Sequence, residues 1–94
     1  MIAMERRLIT LSGIVQGVGF RAFVHGLASE LQLTGFVRND GSDVVMEVEG
    51  PAERLDQFGQ RLLTDRPRRS RIDKVDSQPM PPKGATGFGV QPSR

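Results

Sequence analysis

The change from strand to helix in this chain falls within one short stretch, Val15-Gln16-Gly17-Val18-Gly19-Phe20-Arg21. Its two glycines predict a backbone that bends sharply or lies close to another group. Before it, apolar residues alternate with a period of two, which predicts a strand from Leu8 to Val15. After it, apolar residues follow the spacing of one helix face from Phe20 onward. We expect this helix to end near Leu33, with Gly35 as its stop signal.

Beyond the first helix, short apolar runs alternate with turn residues. The patterns predict strands at Phe36–Asp40 and Val44–Glu49 and a helix from Pro51 to the residue before Pro67. They also predict a weaker strand at Ile72–Ser77 and an optional short edge strand at Phe88–Gln91. The turn between the first two of these strands is expected at Asn39-Asp40-Gly41-Ser42, which is typical of a hairpin. Three prolines and two glycines from Pro79 to Gly87 predict a loop before the last strand.

The order of these elements, βαββαβ with an optional final strand, indicates the fold class. Two split βαβ units predict an α+β, ferredoxin-like sandwich in which two helices cover one face of an antiparallel sheet. Because 94 residues leave room for one hydrophobic core, we expect a single domain over residues 1–94. Val44, Met46 and Val48 should share one face of the sheet, opposite to the glutamates that alternate with them.

The composition excludes several kinds of catalytic site. The chain contains no cysteine and a single histidine, His25, which we interpret as a partly exposed helix residue. Disulfides, thiolate metal ligands, a cysteine nucleophile and a multi-histidine metal site are therefore excluded, and a Ser-His-Asp triad would lack a free histidine. We expect neither a metal nor a cofactor.

Charge and hydropathy place weaker bounds on partners and location. The formal net charge is +2, which permits an anionic partner without requiring nucleic acid. The densest basic run, Arg66, Arg68, Arg69 and Arg71, is interpreted as a solvated loop before a strand. No run is long and apolar enough to span a membrane, and we find no secretory signal, so the cytoplasm is the expected compartment.

The junction between the first strand and the first helix is the strongest candidate for a binding site. The N–H groups at the start of a helix lack intrahelical partners, and the helix dipole adds positive charge there. Such a junction suits an anion, and the planar guanidinium of Arg21 can hold two phosphate oxygens at once. The alternative is a solvated arginine at a helix start. The Gly-x-Gly turn is weak evidence by itself, and it lacks the Lys-Ser/Thr ending of a nucleotide-binding loop and the full dinucleotide-binding signature.

Asn39 is the second candidate. It follows Val37 by two residues and therefore shares the strand face that looks toward the helices. An amide at the end of an apolar face needs a partner, and it could orient a water molecule. The alternative is an asparagine of the hairpin turn. In the expected fold the end of this strand can lie beside the first loop, so both candidates could serve one site.

Two separated blocks of the sequence resemble a known family. Val15–Arg21 is similar to the signature loop of acylphosphatases, and Thr34–Asn39 is similar to the second block of that family. The resemblance extends over nearly the whole chain, from about residue 7 to residue 90. It implies that the chain hydrolyses the carboxyl-phosphate bond of an acyl phosphate to carboxylate and inorganic phosphate, without a metal.

The resemblance also implies roles for individual residues. The phosphate-binding residues would be Val15, Gln16, Gly17, Val18, Gly19, Phe20 and Arg21. Arg21 and Asn39 would be catalytic, with Arg21 binding the phosphoryl group and Asn39 positioning the attacking water. An acyl phosphate already has a good leaving group, so positioning and charge stabilisation are the main requirements, which suits a chain without a candidate base near the loop.

A finer resemblance is to the N-terminal acylphosphatase-like domain of the carbamoyltransferase that matures nickel–iron hydrogenases. Phe20–Val24, Val37–Gly41 and Gly87–Ser93 carry it. It implies an alternative in which the domain handles carbamoyl phosphate within a larger maturation enzyme and has little free phosphatase activity. Ala22 stands where that branch usually has proline, and Phe36 where the second block commonly has tryptophan.

Two other classes of function stay open at this point. Ferredoxin-like sheets also bind RNA through strand aromatics. This chain has no tyrosine or tryptophan, and its five phenylalanines fall mostly at helix or core positions, so we expect no nucleic-acid partner. The remaining class is a sensing module that binds phosphate without turnover, which phosphate affinity without hydrolysis would favour.

Overall fold

The computed structural model describes residues 3–93 of the chain. The elements in chain order are β1 Met4–Ile14, α1 Phe20–Glu30, β2 Thr34–Asp40, β3 Asp43–Pro51, α2 Ala52–Thr64, β4 Arg71–Met80 and β5 Phe88–Val90. This is the α+β order expected from the sequence, with the optional fifth strand present. Within the described residues, neither helix is long and apolar enough to cross a membrane.

The strands form one sheet in the order β4-β1-β3-β2-β5. β1 pairs with β3 and β4, and β2 pairs with β3, all in antiparallel orientation. β5 adds to the outer edge of β2 in parallel orientation, so the complete sheet is mixed. The predicted ferredoxin-like sandwich is confirmed, and β5 extends it beside β2.

A hydrophobic core lies between the sheet and the helices. The predicted apolar faces of β3, α2 and α1 supply these buried side chains: Val44, Met46, Val48, Leu55, Phe58, Leu62, Phe20, Val24, Leu27 and Ala28. Burial of an aliphatic or aromatic side chain of this kind contributes about 1.5–3 kcal/mol. Because Phe20 is the first residue of α1, this packing fixes the start of the helix next to the end of β1.

The first four strands are all longer than the sequence patterns predicted, most of all β1 and β4. β1 begins at Met4 rather than Leu8, because its first residues pair with the end of β3. β4 continues through Pro79 to Met80, where we expected a loop. β4 is an edge strand of the sheet, and an edge tolerates proline because the missing N–H can face away from the partner strand.

The turn after α1 also differs from the expectation. α1 ends at Glu30, and Gln32 takes the left-handed conformation with φ of 56°. Gly35, the expected stop signal, lies inside β2 with φ of 132°. A Cβ at Gly35 would overlap the carbonyl oxygen of Glu47, so the close approach of β3 requires glycine at this position.

The face of the sheet opposite the helices carries a buried cluster of charges. Arg6 donates from Nε to Glu47 Oε1 at 2.8 Å and from Nη1 to Glu49 Oε1 at 3.1 Å. The backbone N–H groups of Lys83 and Gly84 donate to the carboxylate of Glu49 at 2.7 and 3.0 Å. The Lys83 N–H, together with the other donors, holds the pKa of Glu49 below its ordinary value.

Residues 81–87, which we call the crossover strap, bring these backbone donors to Glu49. β4 and β5 lie at opposite edges of the sheet, so the strap must cross about four strand spacings, or roughly 19 Å. Seven residues reach at most roughly 25 Å, so the crossing takes up about three-quarters of the strap's maximum reach. Glu49 fastens its middle, and at its far end the N–H of Gly35 donates to the carbonyl of Gly87 at 3.0 Å.

Candidate active site

The loop between β1 and α1 turns sharply at its two glycines. Gly17 and Gly19 have φ of 73° and 78°, a conformation that costs glycine little. Gly19 is the N-cap of α1, and its carbonyl accepts a hydrogen bond from the N–H of Phe23 at 3.1 Å. α1 is described in full and has neither a side-chain cap nor an acidic residue in its first turn. The positive end of this helix is therefore uncompensated, which suits an anion.

A pocket of about 410 Å³ opens at this junction. Its lining residues are Val15, Gln16, Gly17, Gly19, Phe20, Arg21, Ala22, Asn39 and Val90. The fold thus brings the two candidates, Arg21 and Asn39, to one pocket. Among the described residues of this lining, Arg21 alone carries a formal charge, so the lining favours a negatively charged ligand.

The guanidinium of Arg21 is available for a ligand as far as the described residues show. Among the described residues, it forms neither a salt bridge nor a side-chain hydrogen bond, although it is partly buried. A cation in the first turn of a helix is unfavourable, because the helix dipole is positive there. An anion in the pocket would satisfy both the guanidinium and the N–H groups of the first turn.

Asn39 lies in β2 and is not one of the turn residues of the hairpin, which are Gly41 and Ser42. Its Oδ1 is buried and accepts no hydrogen bond from any described residue. Leaving such an acceptor unpaired costs about 1–3 kcal/mol. A ligand or water molecule that donates to this oxygen would remove that cost, and Asn39 is one of the residues that line the pocket.

Gln16 connects the loop to the β2–β3 hairpin. Its Nε2 donates to the carbonyl oxygens of Gly41 and Asp43, each at 2.8 Å. Both hydrogens of the side-chain amide are thereby used within the protein. An anion in the pocket could therefore bind the backbone N–H of Gln16 but not its side-chain amide N–H groups. The side chain instead holds the loop in place relative to the end of β2, where Asn39 lies.

The structure places the other predicted loop residues in two ways. Val15 and Phe20 are 1% and 2% exposed and belong to the core as well as to the pocket lining. Val18 is not among the pocket-lining residues, and its side chain packs against the core. The prediction that Val18 binds phosphate therefore applies only to its backbone, and it stays a prediction.

Sequence reasoning missed Val90 as a residue of the pocket and noted Ala22 only as a departure from a family pattern. Val90 lies opposite Val37 in the parallel register of β5 with β2, and the N–H of Gln91 donates to the carbonyl of Val37 at 2.8 Å. The signal in the sequence was the weak edge strand near residue 90. Only the strand order reveals that this edge adjoins the site.

Other candidates stay outside the site. His25 is exposed on α1, with its ring 6.3 Å from that of Phe88. Arg66, Arg68 and Arg69 are exposed, as expected for a solvated loop, and Arg71 is paired with Asp73 at 2.8 Å. None of these residues lines the pocket.

Known proteins similar to this chain include acylphosphatases and HypF carbamoyltransferases. The family model for acylphosphatase matches residues 8–90. An acylphosphatase of Caldivirga maquilingensis is 40% identical over 86 residues, which cover 88% of this chain and 90% of that protein. The carbamoyltransferase HypF2 of Cupriavidus necator is 47% identical over 70 residues, which cover 74% of this chain and 9% of the relative.

A solved structure extends the second comparison. Full-length HypF in its phosphate- and nucleotide-bound form superposes with a TM-score of 0.96 and 33% identity, covering 99% of this chain and 12% of that chain. The chain thus spans about a tenth of the length of the HypF relatives, whereas it spans most of the acylphosphatase. From the family match over residues 8–90 and the relatives that share it, we conclude that this chain belongs to the acylphosphatase family.

Proposed function

We propose that this chain hydrolyses acyl phosphates to a carboxylate and inorganic phosphate at the pocket beside Gly17 and Gly19. One observation carries the proposal: the pocket lining brings together a guanidinium with no partner among the described residues, an uncompensated helix N-terminus, and Asn39, whose amide oxygen accepts no hydrogen bond from those residues. The first two groups suit a phosphoryl group, and the third suits a water molecule. Membership of the acylphosphatase family supports the same reaction.

In the proposed reaction, the loop N–H groups and Arg21 bind the phosphoryl oxygens. Asn39 Oδ1 accepts a hydrogen bond from the attacking water and directs its oxygen toward phosphorus. The new bond forms between the water oxygen and phosphorus, and the bond between phosphorus and the acyl oxygen breaks. The carboxylate leaves with that electron pair, and a proton of the water passes to a phosphate oxygen. Positioning and charge stabilisation account for most of the rate in such a transfer.

Hydrolysis of acetyl, benzoyl and carbamoyl phosphate by the purified chain, with a chelator present, tests this proposal. Arg21→Ala and Asn39→Ala should each lower kcat/KM by about 10²–10³-fold, since each removes a group that acts in the transition state. Arg54→Ala is the matched control, because Arg54 lies in the first turn of α2 and contacts Gln32 instead of the pocket. No turnover by the folded wild type would reject the proposal, and phosphate binding without turnover would favour a sensing module.

The second candidate function is the handling of carbamoyl phosphate within a larger maturation enzyme. The superposition with full-length HypF over 99% of this chain favours it. Both functions would use the same loop and the same two side chains, so they differ in the acyl group and in the presence of further domains. A kcat/KM for carbamoyl phosphate at least tenfold above those for acetyl and benzoyl phosphate would favour the second candidate.

The open face of the sheet offers little to nucleic acid. Of the five phenylalanines, all within the described residues, Phe20 and Phe58 are buried and Phe23 and Phe88 pack against the core. Phe36 is left on the open face, where the guanidinium of Arg38 lies 5.4 Å from its ring centre. A single partly covered ring is not the pair of aromatic platforms that stack bases.

A further inference from the structure

Val90 and Ala22 both line the pocket and both expose apolar side chains, and we call this pair the apolar wall. We propose that this wall contacts the acyl group of the substrate, and that Val90 selects acyl phosphates with an apolar acyl group. The inference rests on the hydrolysis proposed above and adds the part of the substrate that the phosphate-binding loop does not recognise.

The pocket lining divides into a polar part and an apolar part. Arg21, Asn39 and the loop backbone supply the polar groups, which match a phosphoryl group and a water molecule. Val15 and Phe20 are apolar but almost completely covered by the core. Ala22 is exposed and Val90 is 50% exposed, so these two offer apolar surface to a ligand.

The position of Val90 fits the direction in which the acyl group must leave. In an in-line displacement, the attacking water and the leaving carboxylate lie on opposite sides of phosphorus, with their oxygens roughly 5 Å apart. Val90 is opposite Val37, and Asn39 is two residues farther along β2, so Val90 and Asn39 are diagonal neighbours with Cα atoms about 8 Å apart. A phosphoryl group between them leaves the acyl group on the side of Val90.

The wall is held by elements on both sides, which selection requires. The hydrogen bond from the N–H of Gln91 to the carbonyl of Val37 fixes β5 to β2. On the other side, the ring of Phe88 contacts that of His25, four residues beyond Arg21 on α1. Val90 therefore keeps its place relative to both proposed catalytic side chains.

Val90→Thr tests the inference with little change of shape, because threonine is also β-branched and suits a strand. The measured quantity is the ratio of kcat/KM for benzoyl phosphate to kcat/KM for carbamoyl phosphate. We expect this ratio to fall by about three- to tenfold, which is less than the roughly tenfold minimum for one methylene in a closed apolar pocket, since the wall is half open to solvent. The inhibition constant of inorganic phosphate should stay within about twofold of the wild type, because the loop binds the phosphate.

Two further variants make the test specific. Ala22→Ser lies on the exposed face of α1 and should lower the ratio in the same direction, independently of any effect on β5. Val75→Thr is the matched control, because Val75 is 46% exposed on β4 at the opposite edge of the sheet. It should leave the ratio unchanged.

The outcomes separate this inference from the function on which it rests. An unchanged ratio in Val90→Thr and Ala22→Ser, or an equal loss for all substrates, overturns the inference and leaves the hydrolysis intact. A wild type that turns over none of the substrates rejects the hydrolysis and the inference with it. A ratio that falls in both pocket variants and not in Val75→Thr supports the assignment.

Discussion

Gln16→Glu perturbs the connection between the loop and the hairpin while keeping the shape of the side chain. An ionised glutamate only accepts hydrogen bonds, whereas Gln16 donates two, to Gly41 and Asp43. A neutral hydrogen bond contributes about 1 kcal/mol, so the loss of both costs about 2 kcal/mol before repulsion between the carboxylate and the two carbonyl oxygens is counted. In a domain of this length, 2 kcal/mol lowers Tm by roughly 8–16 °C.

The same variant should lose activity beyond its loss of stability. The loop that carries Arg21 would no longer be held against the strand end that carries Asn39, and a displacement of about 1 Å costs about 10²-fold in rate. Thermal unfolding at pH 7 and kcat/KM for benzoyl phosphate at a temperature well below Tm measure the two effects. Gln57→Glu, at an exposed position on α2, is the control and should change both little. If Gln16→Glu kept Tm and kcat/KM near the wild-type values, the loop would not depend on this side chain.

Three further predictions concern other parts of the chain. Glu49→Gln should lower stability by about 3 kcal/mol at pH 7, because it leaves Arg6 buried without a full countercharge. The pKa of Glu49 is lowered in the folded protein, so its ionised carboxylate stabilises the fold fully above about pH 4.3, and this stabilisation is lost as the pH falls through the folded pKa. The variant should therefore lose less unfolding free energy than the wild type during acidification. Urea unfolding at a series of pH values checks this, and the same decrease of unfolding free energy with falling pH in both proteins would contradict it. Gly35→Ala should lower the unfolding free energy by about 2 kcal/mol or more, because its Cβ would overlap β3. Gly59→Ala, in open space inside α2, should raise it by about 0.5–1 kcal/mol. If both variants changed the unfolding free energy in the same direction in urea, the close approach of β3 would not be what requires glycine at position 35. Arg21→Lys keeps the charge but loses the two-pronged geometry of the guanidinium, so we expect the inhibition constant of inorganic phosphate to rise about tenfold in competition assays, and an unchanged constant would show that charge alone suffices.

The sequence predicts the helices and the central strands well, because their period is set by burial. In α1 and β3, the side chains that recur at helical or alternating spacing are the ones buried in the core. Boundaries are less accurate, because they depend on the neighbouring strand. Pro79 lies in β4 since β4 is at an edge, and Gly35 lies in β2 since β3 passes close to it. Neither fact can be read from local composition.

The residues of the candidate site also differ in how far the sequence alone predicts them. The loop and Arg21 can be proposed from the junction itself, because the chemistry of a helix N-terminus is local. Asn39 can be added since it shares a strand face with Val37. Val90 cannot, because its place in the pocket depends on the strap carrying β5 from one edge of the sheet to the other.

The crossover strap also determines the order in which the pocket can be assembled during folding. Its donors at Lys83 and Gly84 need the carboxylate of Glu49, which lies between Arg6 and Thr34 once β1, β3 and β2 have paired. β5 can therefore dock only on a sheet that already exists, and it should be released before that sheet opens. Amide hydrogen exchange should then report the strap and Gln91 as one early-opening unit, distinct from β3. A chain in that partly opened state would keep its core and its phosphate loop while one wall of its pocket was missing.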